Sequence, residues 1–423
     1  NSGAKMKLSF KQKIGIGLYM GRSLLTKPQC FAYNPRKQSF IDDPYPVYRH
    51  MRDEKPAFWS PHTIGWHISG SHEFLLQCLK DERLSHCFRL WKFAPEYDAS
   101  SPLDNLLSSL LMALPAKDHM RVRKLVSPAF SPRFVAEAKP EIEALVQEEL
   151  KHFDRNGELD LVKLCREIPI NAMAIYFRIP DAMRGDFNAL SHAIIAAFSS
   201  EMDNMDTEAA ERGIAQLRAL FAEKRRNPDD SFMSTLINHM EDGDSMSENE
   251  ALGLVGALLA AGVDTTFDYM LNIFYGLVKN PQWGPWLLEN EDKLQNLMDE
   301  TFRWNTFGNR GFFRFAVEDL EIHGQKIKKG EIVQIMFSIA NHDPAVFPEP
   351  NTFNPLRENL DKAYTFGLGA HYCLGHAIVK LIAQVTVMAV VKRYSTMQAK
   401  TDPTREYNML TRRINRMTLV NPQ

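Results

Sequence analysis

The sequence predicts a mainly helical α+β fold with small β-sheets. Long segments with apolar residues at helical spacing dominate the chain, and short strand patterns lie toward its two ends. No Gly/Ser-rich or Pro-rich linker and no internal repeat divides the chain, so we expect one large domain. The predicted helices cover 71–80, 119–126, 134–153, 186–199, 208–225, 248–278, 283–304 and 375–394, and the predicted strands cover 57–59, 65–69 and 330–335.

Composition restricts the class of protein. Of the 423 residues, 44% are hydrophobic and 24% charged, as in globular proteins, and the formal net charge of −2 gives no basis for a nucleic-acid partner. The 5 cysteines have neither disulfide nor zinc spacing, which suits a reducing compartment, so we expect a cytoplasmic protein. The longest apolar run, 252–263, is shorter than the roughly 20 residues of a membrane span, so no membrane insertion is expected.

The N-terminal segment is interpreted as an extension of the domain. Residues 1–30 carry basic and apolar residues but no signal-peptide cleavage site, and 1–5 resemble a remnant of recombinant expression. Residues 31–423 are expected to form the functional domain. The glycines within 15–21 have the wrong spacing for a dinucleotide-binding loop and follow no strand, so that interpretation is rejected.

One short run near the C-terminus carries the strongest functional signal. Residues 366–375 read Phe-Gly-Leu-Gly-Ala-His-Tyr-Cys-Leu-Gly, with a helical pattern directly after Cys373. The glycines allow a tight loop whose backbone can approach a flat ligand, and a helix N-terminus favours negative charge on the sulfur. A lone cysteine beside glycines is usually structural, but the register of the Phe, Gly, His and Cys residues argues against that alternative.

A second signal interrupts the long apolar pattern at 248–278. Residues 261–266 read Ala-Gly-Val-Asp-Thr-Thr, and their acid and hydroxyls are costly to bury without a purpose. The glycine leaves room in the helix groove for a small ligand. The alternative is that the threonines bond back to helix carbonyls while Asp264 meets a neighbouring cation.

These patterns together resemble the cytochrome P-450 family. The run 366–375 is similar to its haem-binding loop at every fixed position, and 261–266 is similar to its oxygen-activating helix segment. Weaker similarities at 43–48 and 341–353 fall in family order along the chain. The resemblance implies a cytochrome P-450 fold around a buried haem b, with the Cys373 thiolate as axial ligand and dioxygen as co-substrate.

The resemblance also implies two groups of charged residues. Asp264 and Thr265 are expected to be catalytic, because the matching pair delivers protons while dioxygen is activated. Glu300, Arg303 and Arg357 resemble the family's buried ion cluster behind the cysteine loop, although the i, i+3 spacing of the first two also suits a surface pair.

Haem contacts follow from the same resemblance. The haem propionates require donors, and His119 and Arg123 lie at i, i+4 on one helix face. Arg121 in place of Arg123, and a solvated His119, remain alternatives. The residues expected to contact the haem are Ala261, His119, Arg123, Arg314, Phe366, Gly367, His371 and Gly375.

Substrate-facing positions are less specific. The segment between Arg303 and Arg314 is slightly longer than the family pattern, and Phe307 stands where proline is common. Arg310 in this segment either meets an anionic group of the substrate or points to solvent. The residues expected in the pocket are Trp91, Phe93, Leu110, Phe198, Phe307, Arg310 and Met409.

The function implied is that of a haem-thiolate monooxygenase that hydroxylates or epoxidises an apolar small organic molecule in secondary or xenobiotic metabolism. A monomer is expected, with electrons from a separate ferredoxin and its reductase, or from a flavodoxin, docking near Lys124 and Lys380. Oxidative coupling of phenolic or heteroaromatic substrates and peroxide-driven oxidation are alternatives within enzymes. A haem sensor or carrier is the alternative outside them. The retained pair of Asp264 and Thr265 argues against both a dedicated peroxide user and a sensor.

Overall fold

The computed structural model describes residues 10–94, 98, 100–197, 207–241, 246–308, 311–408 and 411–420. Helices dominate, which confirms the predicted α+β class. The helices are α1 Phe10–Thr26, α2 Gln38–Asp42, α3 Tyr45–Glu54, α4 His72–Lys80, α5 Pro102–Ser109, α6 Ala116–Val126, α7 Pro132–Glu137, α8 Lys139–Phe153, α9 Leu161–Phe177, α10 Arg184–Ala197, α11 Thr207–Arg226, α12 Phe232–Glu241, α13 Glu248–Lys279, α14 Trp283–Glu289, α15 Leu294–Trp304, α16 Phe337–Ala340 and α17 His376–Val391. The strands are β1 Ala57–Ser60, β2 Gly65–Ile68, β3 Leu84–Ser85, β4 Asp154–Arg155, β5 Glu158–Asp160, β6 Phe312–Ala316, β7 Leu320–Ile322, β8 Gln325–Ile327, β9 Ile332–Ile335, β10 Thr404–Tyr407, β11 Arg412–Arg416 and β12 Thr418–Val420.

The largest sheet joins segments that are distant in the sequence. Its strand order is β1-β2-β9-β6-β3, with β2 parallel to β9 and the other pairs antiparallel. Trp59 and Trp66 on the first two strands are almost completely buried. Three smaller sheets pair β10 with β11, β7 with β8, and β12 with β5 and β4.

A buried carboxylate fastens the N-terminal helix α1 to this sheet. Glu331, just before β9, accepts a hydrogen bond from the Tyr19 hydroxyl of α1 at 2.9 Å. It also accepts hydrogen bonds from Trp66 Nε1 at 2.7 Å, Lys27 Nζ at 2.8 Å and Lys92 Nζ at 3.1 Å. Burial acts to raise the pKa of Glu331, but these donors outweigh it and hold the pKa at about 2. The segment predicted as an extension therefore packs against the sheet as a helix.

Helix α13 crosses the core of the protein. Ser247 and Glu250 form a capping box at its N-terminus, and most of its residues are buried. The neighbouring helix α5 approaches closely at Gly253, since a Cβ there would collide with the carbonyl oxygen of Ser109. Among the described residues this one helix is long and apolar enough to cross a membrane, but its burial is that of a core helix.

Several predicted boundaries were wrong. The pattern at 134–153 forms two helices, because Pro140 lacks the N–H that would continue α7 and instead lies in the first turn of α8. The pattern at 283–304 also forms two, since Asn290 ends α14 and its side-chain amide donates to the Trp286 carbonyl at 2.8 Å. Helix α9 was missed because Pro169 lies within it.

A buried ion cluster connects α15 to the chain that leads to the cysteine loop. Arg303 Nε lies 2.6 Å from Glu300 Oε2, and both side chains are completely buried. Arg357 Nε lies 3.3 Å from Glu300 Oε1, so the structure brings the three predicted residues together. Arg303 also donates to the carbonyls of Asn341 at 3.1 Å and Pro350 at 2.8 Å. The charged groups of this cluster thus have hydrogen-bond partners, and the cluster holds the segment 341–357 in place.

We predict that Glu300→Ala lowers the free energy of unfolding by about 3–5 kcal/mol, because it leaves two buried guanidinium groups without their carboxylate. Urea unfolding followed by circular dichroism measures the change. Glu291→Gln is the control, since Glu291 pairs with Lys392 on an exposed surface and its loss should cost less than about 1 kcal/mol. Equal effects of the two substitutions would contradict this assignment.

Candidate active site

The predicted cysteine loop forms the turn that leads into α17. Gly367 and Gly369 have positive φ angles of 75° and 66°, a conformation that favours glycine. The Cys373 N–H donates to the Phe366 carbonyl at 2.9 Å, and His376 N–H donates to the Cys373 carbonyl at 3.4 Å. The sulfur therefore lies on a backbone-braced loop, directly before a helix N-terminus.

The surroundings of Cys373 have opposing effects on the pKa of its thiol. Burial raises the pKa of the Cys373 thiol, whereas the Gly375 backbone N–H and the charge of Arg123 act to lower it. Arg123 also donates to the carbonyl of Tyr372. All five cysteines are free, and among the described residues no cluster of three His, Cys, Asp or Glu side chains could hold a metal ion.

Imidazoles and an arginine converge beside this loop. The ring of His371 lies 3.6 Å from that of His86 and 4.0 Å from that of His119, measured between centroids. Arg314 Nη1 lies 3.3 Å from His86 Nδ1. Burial and then the neighbouring cations lower the pKa of His371 to about 3 and that of His119 to about 4. Burial lowers the pKa of Arg314 to about 10.

The hydrogen bonds of this cluster are incomplete. Because a guanidinium only donates, His86 Nδ1 accepts from Arg314, which leaves the proton of the neutral ring on Nε2. His86 Nε2 and His119 Nδ1 are both buried and have no hydrogen-bond partner within the described part of the chain. Buried donors without acceptors are rare in folded proteins. The cluster therefore fits an anionic ligand with several acceptor oxygens, such as the two propionates of haem.

The predicted polar interruption of α13 faces an internal space. Ala261 and Thr265 are exposed although they lie in the middle of a core helix, and Asp264 between them is half-buried. One turn further, the ring of Tyr269 lies 5.7 Å from that of Phe366 in the cysteine loop. The exposed stripe and the loop therefore border the same region of the core.

Asp264 and Thr265, the two residues expected to supply protons, both contact other groups of the chain. The Thr265 hydroxyl donates to the Ala261 carbonyl, and Asp264 Oδ2 lies 3.1 Å from Arg413 Nη2. These are the contacts expected if the threonine only bonds back to its helix and Asp264 only pairs with a neighbouring cation. They also leave both side chains beside the internal space, so the two interpretations do not conflict.

The structure describes only some of the predicted pocket residues. Phe93 contacts Trp91 at 5.8 Å and Tyr19 of α1 at 5.5 Å between ring centroids, and Phe307 contacts Phe302 at 5.4 Å. Leu110 has no exposed surface and packs in the core, so it lines no open space in this structure. The remaining pocket candidates, Phe198, Arg310 and Met409, lie outside the described residues.

Two residues of the site were missed from the sequence. His86 follows the short strand β3 and meets the other histidines only through the fold. Arg413 comes from β11 and reaches the relay acid on α13. Neither residue belongs to a local sequence motif. The one signal that could have indicated His86 is its position close to the end of a strand.

Comparisons with known proteins agree with this geometry. The cytochrome P450 family model matches residues 100–420. Epothilone C/D epoxidase from Sorangium cellulosum is 29% identical over 406 residues, which cover 93% of this chain and 96% of that protein. Vitamin D(3) 25-hydroxylase from Pseudonocardia autotrophica is 27% identical, with 82% and 86% covered. The crystal structure of epothilone D-bound cytochrome P450epoK superimposes with a TM-score of 0.87 at 28% identity, covering 93% of this chain and all of that one.

The family match covers most of the chain, and the first of these relatives covers 93% of it. The helical fold, the glycine-rich cysteine loop and the exposed stripe on the core helix are what this family requires for a thiolate-bound haem. These findings confirm the family, the fold and the monooxygenase class that the sequence predicted. The chain belongs to the cytochrome P450 family.

Proposed function

We propose that this P450 monooxygenase hydroxylates or epoxidises a large lipophilic small molecule of secondary metabolism. The observation that carries the proposal is the pairing of one loop cysteine with an exposed Ala261–Thr265 stripe inside the core. Two relatives are named as an epothilone C/D epoxidase and a vitamin D(3) 25-hydroxylase, so both are named for the oxidation of an organic small molecule. A substrate of this kind would suit the aromatic residues Trp91, Phe93 and Phe307.

The cofactor proposed is haem b with the Cys373 sulfur as its axial ligand. His119, Arg314 and His371 would bind the propionates, together with His86 and with Arg123 from α6. The fit rests on the buried, unpartnered nitrogens of His86 and His119. When bound, a thiolate-ligated haem supplies the activation of dioxygen.

The chain's own contribution to the chemistry is proton supply. The Thr265 hydroxyl is exposed to the internal space and can hold a proton at Oγ1 close to a bound ligand. The Asp264 carboxylate is the adjacent titratable group on the helix, and its side chain is 21% exposed. We propose that Asp264 takes protons from solvent and that Thr265 passes them into the site.

Electrons are proposed to come from a separate ferredoxin-type protein or a flavodoxin. Lys380 on α17 lies with its Nζ 5.4 Å from the ring centroid of Phe366, and Lys124 is exposed on α6 beside Arg123. Both lysines therefore flank the cysteine loop and suit an acidic partner. We propose a monomer in the cytoplasm, where the five free cysteines stay reduced.

We predict that His86→Leu weakens haem retention by about 10-fold or more, because it removes a charge-assisted hydrogen bond to a propionate and the imidazole that accepts from Arg314. His86→Gln keeps a donor and should retain more haem. The measurement is the rate of haem transfer to a scavenger such as apomyoglobin. The exposed His152→Leu serves as control, and equal haem loss in the His86 and His152 variants would rule out a propionate contact.

We predict that Thr265→Ala leaves haem content and ligand binding unchanged but lowers product formed per NADPH by roughly 10-fold, because oxygen is reduced without its proton donor. Epothilone D and vitamin D3 are the probes, with binding measured by the spin-state change of the haem. Thr301→Ala, a buried threonine on α15 that bonds to a helix carbonyl, is the matched control for coupling. Unchanged coupling in Thr265→Ala would reject the relay, and failure of both probes to bind would reject the substrate class.

A further inference from the structure

A cavity of about 330 Å³ opens between α3 and the chain that follows α16. Its volume lies in the range of roughly 300–1,000 Å³ that is typical of small-molecule sites. The cavity shares no residue with the expected haem contacts or with the expected substrate pocket, so the proposed function does not account for it. Its walls are largely aromatic or apolar and include Tyr45, Tyr48, Ile339, Pro344 and Pro350.

Among the described residues, the charged side chains that line this cavity are two arginines of α3. Arg49 and Arg52 lie at i, i+3 on that helix, and no acidic side chain in the described part of the chain lines the cavity. Arg52 is balanced by Asp53, whose Oδ1 lies 2.7 Å from its Nε. Arg49 is exposed and forms neither a hydrogen bond nor an ion pair with the residues that the structure describes. Its guanidinium donors are therefore available to a ligand.

Two buried arginines packed near Tyr45 add positive charge on the inner side of the cavity wall. Arg412 is 1% exposed, and its guanidinium carbon lies 5.7 Å from the centroid of the Tyr45 ring. Arg405 donates from Nη1 to the Arg412 carbonyl at 2.7 Å, and its guanidinium lies over the ring of Tyr275. Within the described chain, the Arg412 guanidinium donates to the uncharged oxygens of Ile41, Asn305 and Thr306. Neither arginine forms an ion pair with a carboxylate of the described residues.

These two arginines also have unused donors. Arg405 Nη2 and Arg412 Nε are buried and have no hydrogen-bond partner in the part of the chain that the structure describes. Burial, and then the charge of Arg412, lowers the pKa of Arg405 to about 10. Burial raises the pKa of Tyr45, whereas Arg412, Arg405 and Arg303 act to lower it. Arg303 is paired with Glu300, so the unbalanced charge at the cavity wall comes from the other two. That charge favours an anion in the cavity.

The walls and the arginines together define the class of ligand. Tyr45 is stacked on His342, with ring centroids 4.1 Å apart. Burial, and then the charge of Arg303, lowers the pKa of His342 to about 3, so this wall is uncharged. A guanidinium recognises the oxygens of a carboxylate or a phosphate. An inorganic anion would leave the aromatic walls uncovered, and a neutral aromatic molecule would leave Arg49 without a partner.

We propose that this cavity binds a small organic anion, an aromatic body that carries one phosphate or carboxylate group, with Arg49 as the contact for that group. Binding is non-covalent and transfers neither protons nor electrons. The ligand would join α3 to the segment after α16, because Arg52 already donates from Nη1 to the His342 carbonyl at 3.0 Å across the same cavity. Occupancy therefore stabilises the folded protein. The proposal does not depend on the proposed function.

The test uses phenyl phosphate as the probe, with inorganic phosphate supplying the charge alone and phenol the ring alone. Isothermal titration calorimetry of the purified protein measures affinity, and thermal unfolding measures stabilisation. We expect phenyl phosphate to bind, to raise the melting temperature and to exceed both fragments in affinity by roughly 10-fold or more. The haem spectrum should show no spin-state change, because the cavity shares no residue with the expected haem contacts.

Three variants locate the binding site. Arg49→Glu should weaken phenyl phosphate binding by roughly 10-fold or more, because it replaces the contact cation with a like charge. Asn351→Asp adds a negative charge at a second exposed position of the cavity and should weaken binding as well. The control is Lys55→Gln, which removes an exposed cation directly after α3 and outside the cavity, and it should bind normally.

Each of the other outcomes would overturn the proposal. Equal loss of affinity in Lys55→Gln and Arg49→Glu would indicate general attraction to surface charge. Inorganic phosphate that binds as tightly as phenyl phosphate would reject an organic ligand. A spin-state change that persists in Arg49→Glu would place the probe beside the haem, and absence of phenyl phosphate binding would reject the site. None of these results affects the proposed function, which the coupling of Thr265→Ala tests separately.

Discussion

A buried guanidinium among neutral imidazoles, beside the cysteine loop, is the constraint on which the active site depends. His86, His119, His371 and Arg314 meet there, and burial is the main cause that lowers the pKa of each of these groups. Two of their nitrogens have no partner within the described residues. A folded chain accepts such an arrangement when a bound anion completes it. Under the proposed function, the propionates of haem would provide the missing acceptors, and haem binding would then stabilise the folded protein.

Two other clusters of buried charge differ from this histidine cluster. Glu300 is matched by two arginines and Glu331 by two lysines and an indole, so both clusters are complete without a ligand. These complete clusters fix α15 and α1 in place. The incomplete cluster lies instead where the cysteine loop meets the exposed stripe of α13. The histidine cluster thus differs from the Glu300 and Glu331 clusters in that its hydrogen bonds are incomplete.

Local patterns made the core of the site predictable from the sequence. The glycine-rich cysteine loop and the polar interruption of α13 are contiguous, so their chemistry can be read without the fold. His86 and Arg413 could not be found in this way, because each reaches the site from a distant strand. Helix α9 was missed for a different reason: Pro169 breaks the local signal, while packing against α13 and α8 supplies the stability that the proline removes.

The central claim is that the Cys373 thiolate is the axial ligand of a haem. The most direct measurement is the absorption spectrum of the dithionite-reduced protein with and without carbon monoxide. The account predicts a strongly red-shifted Soret band that disappears in Cys373→Ala and moves to the histidine-ligated position in Cys373→His. A histidine-like carbonyl band in the unsubstituted protein, or a red-shifted band that persists in Cys373→Ala, would contradict it.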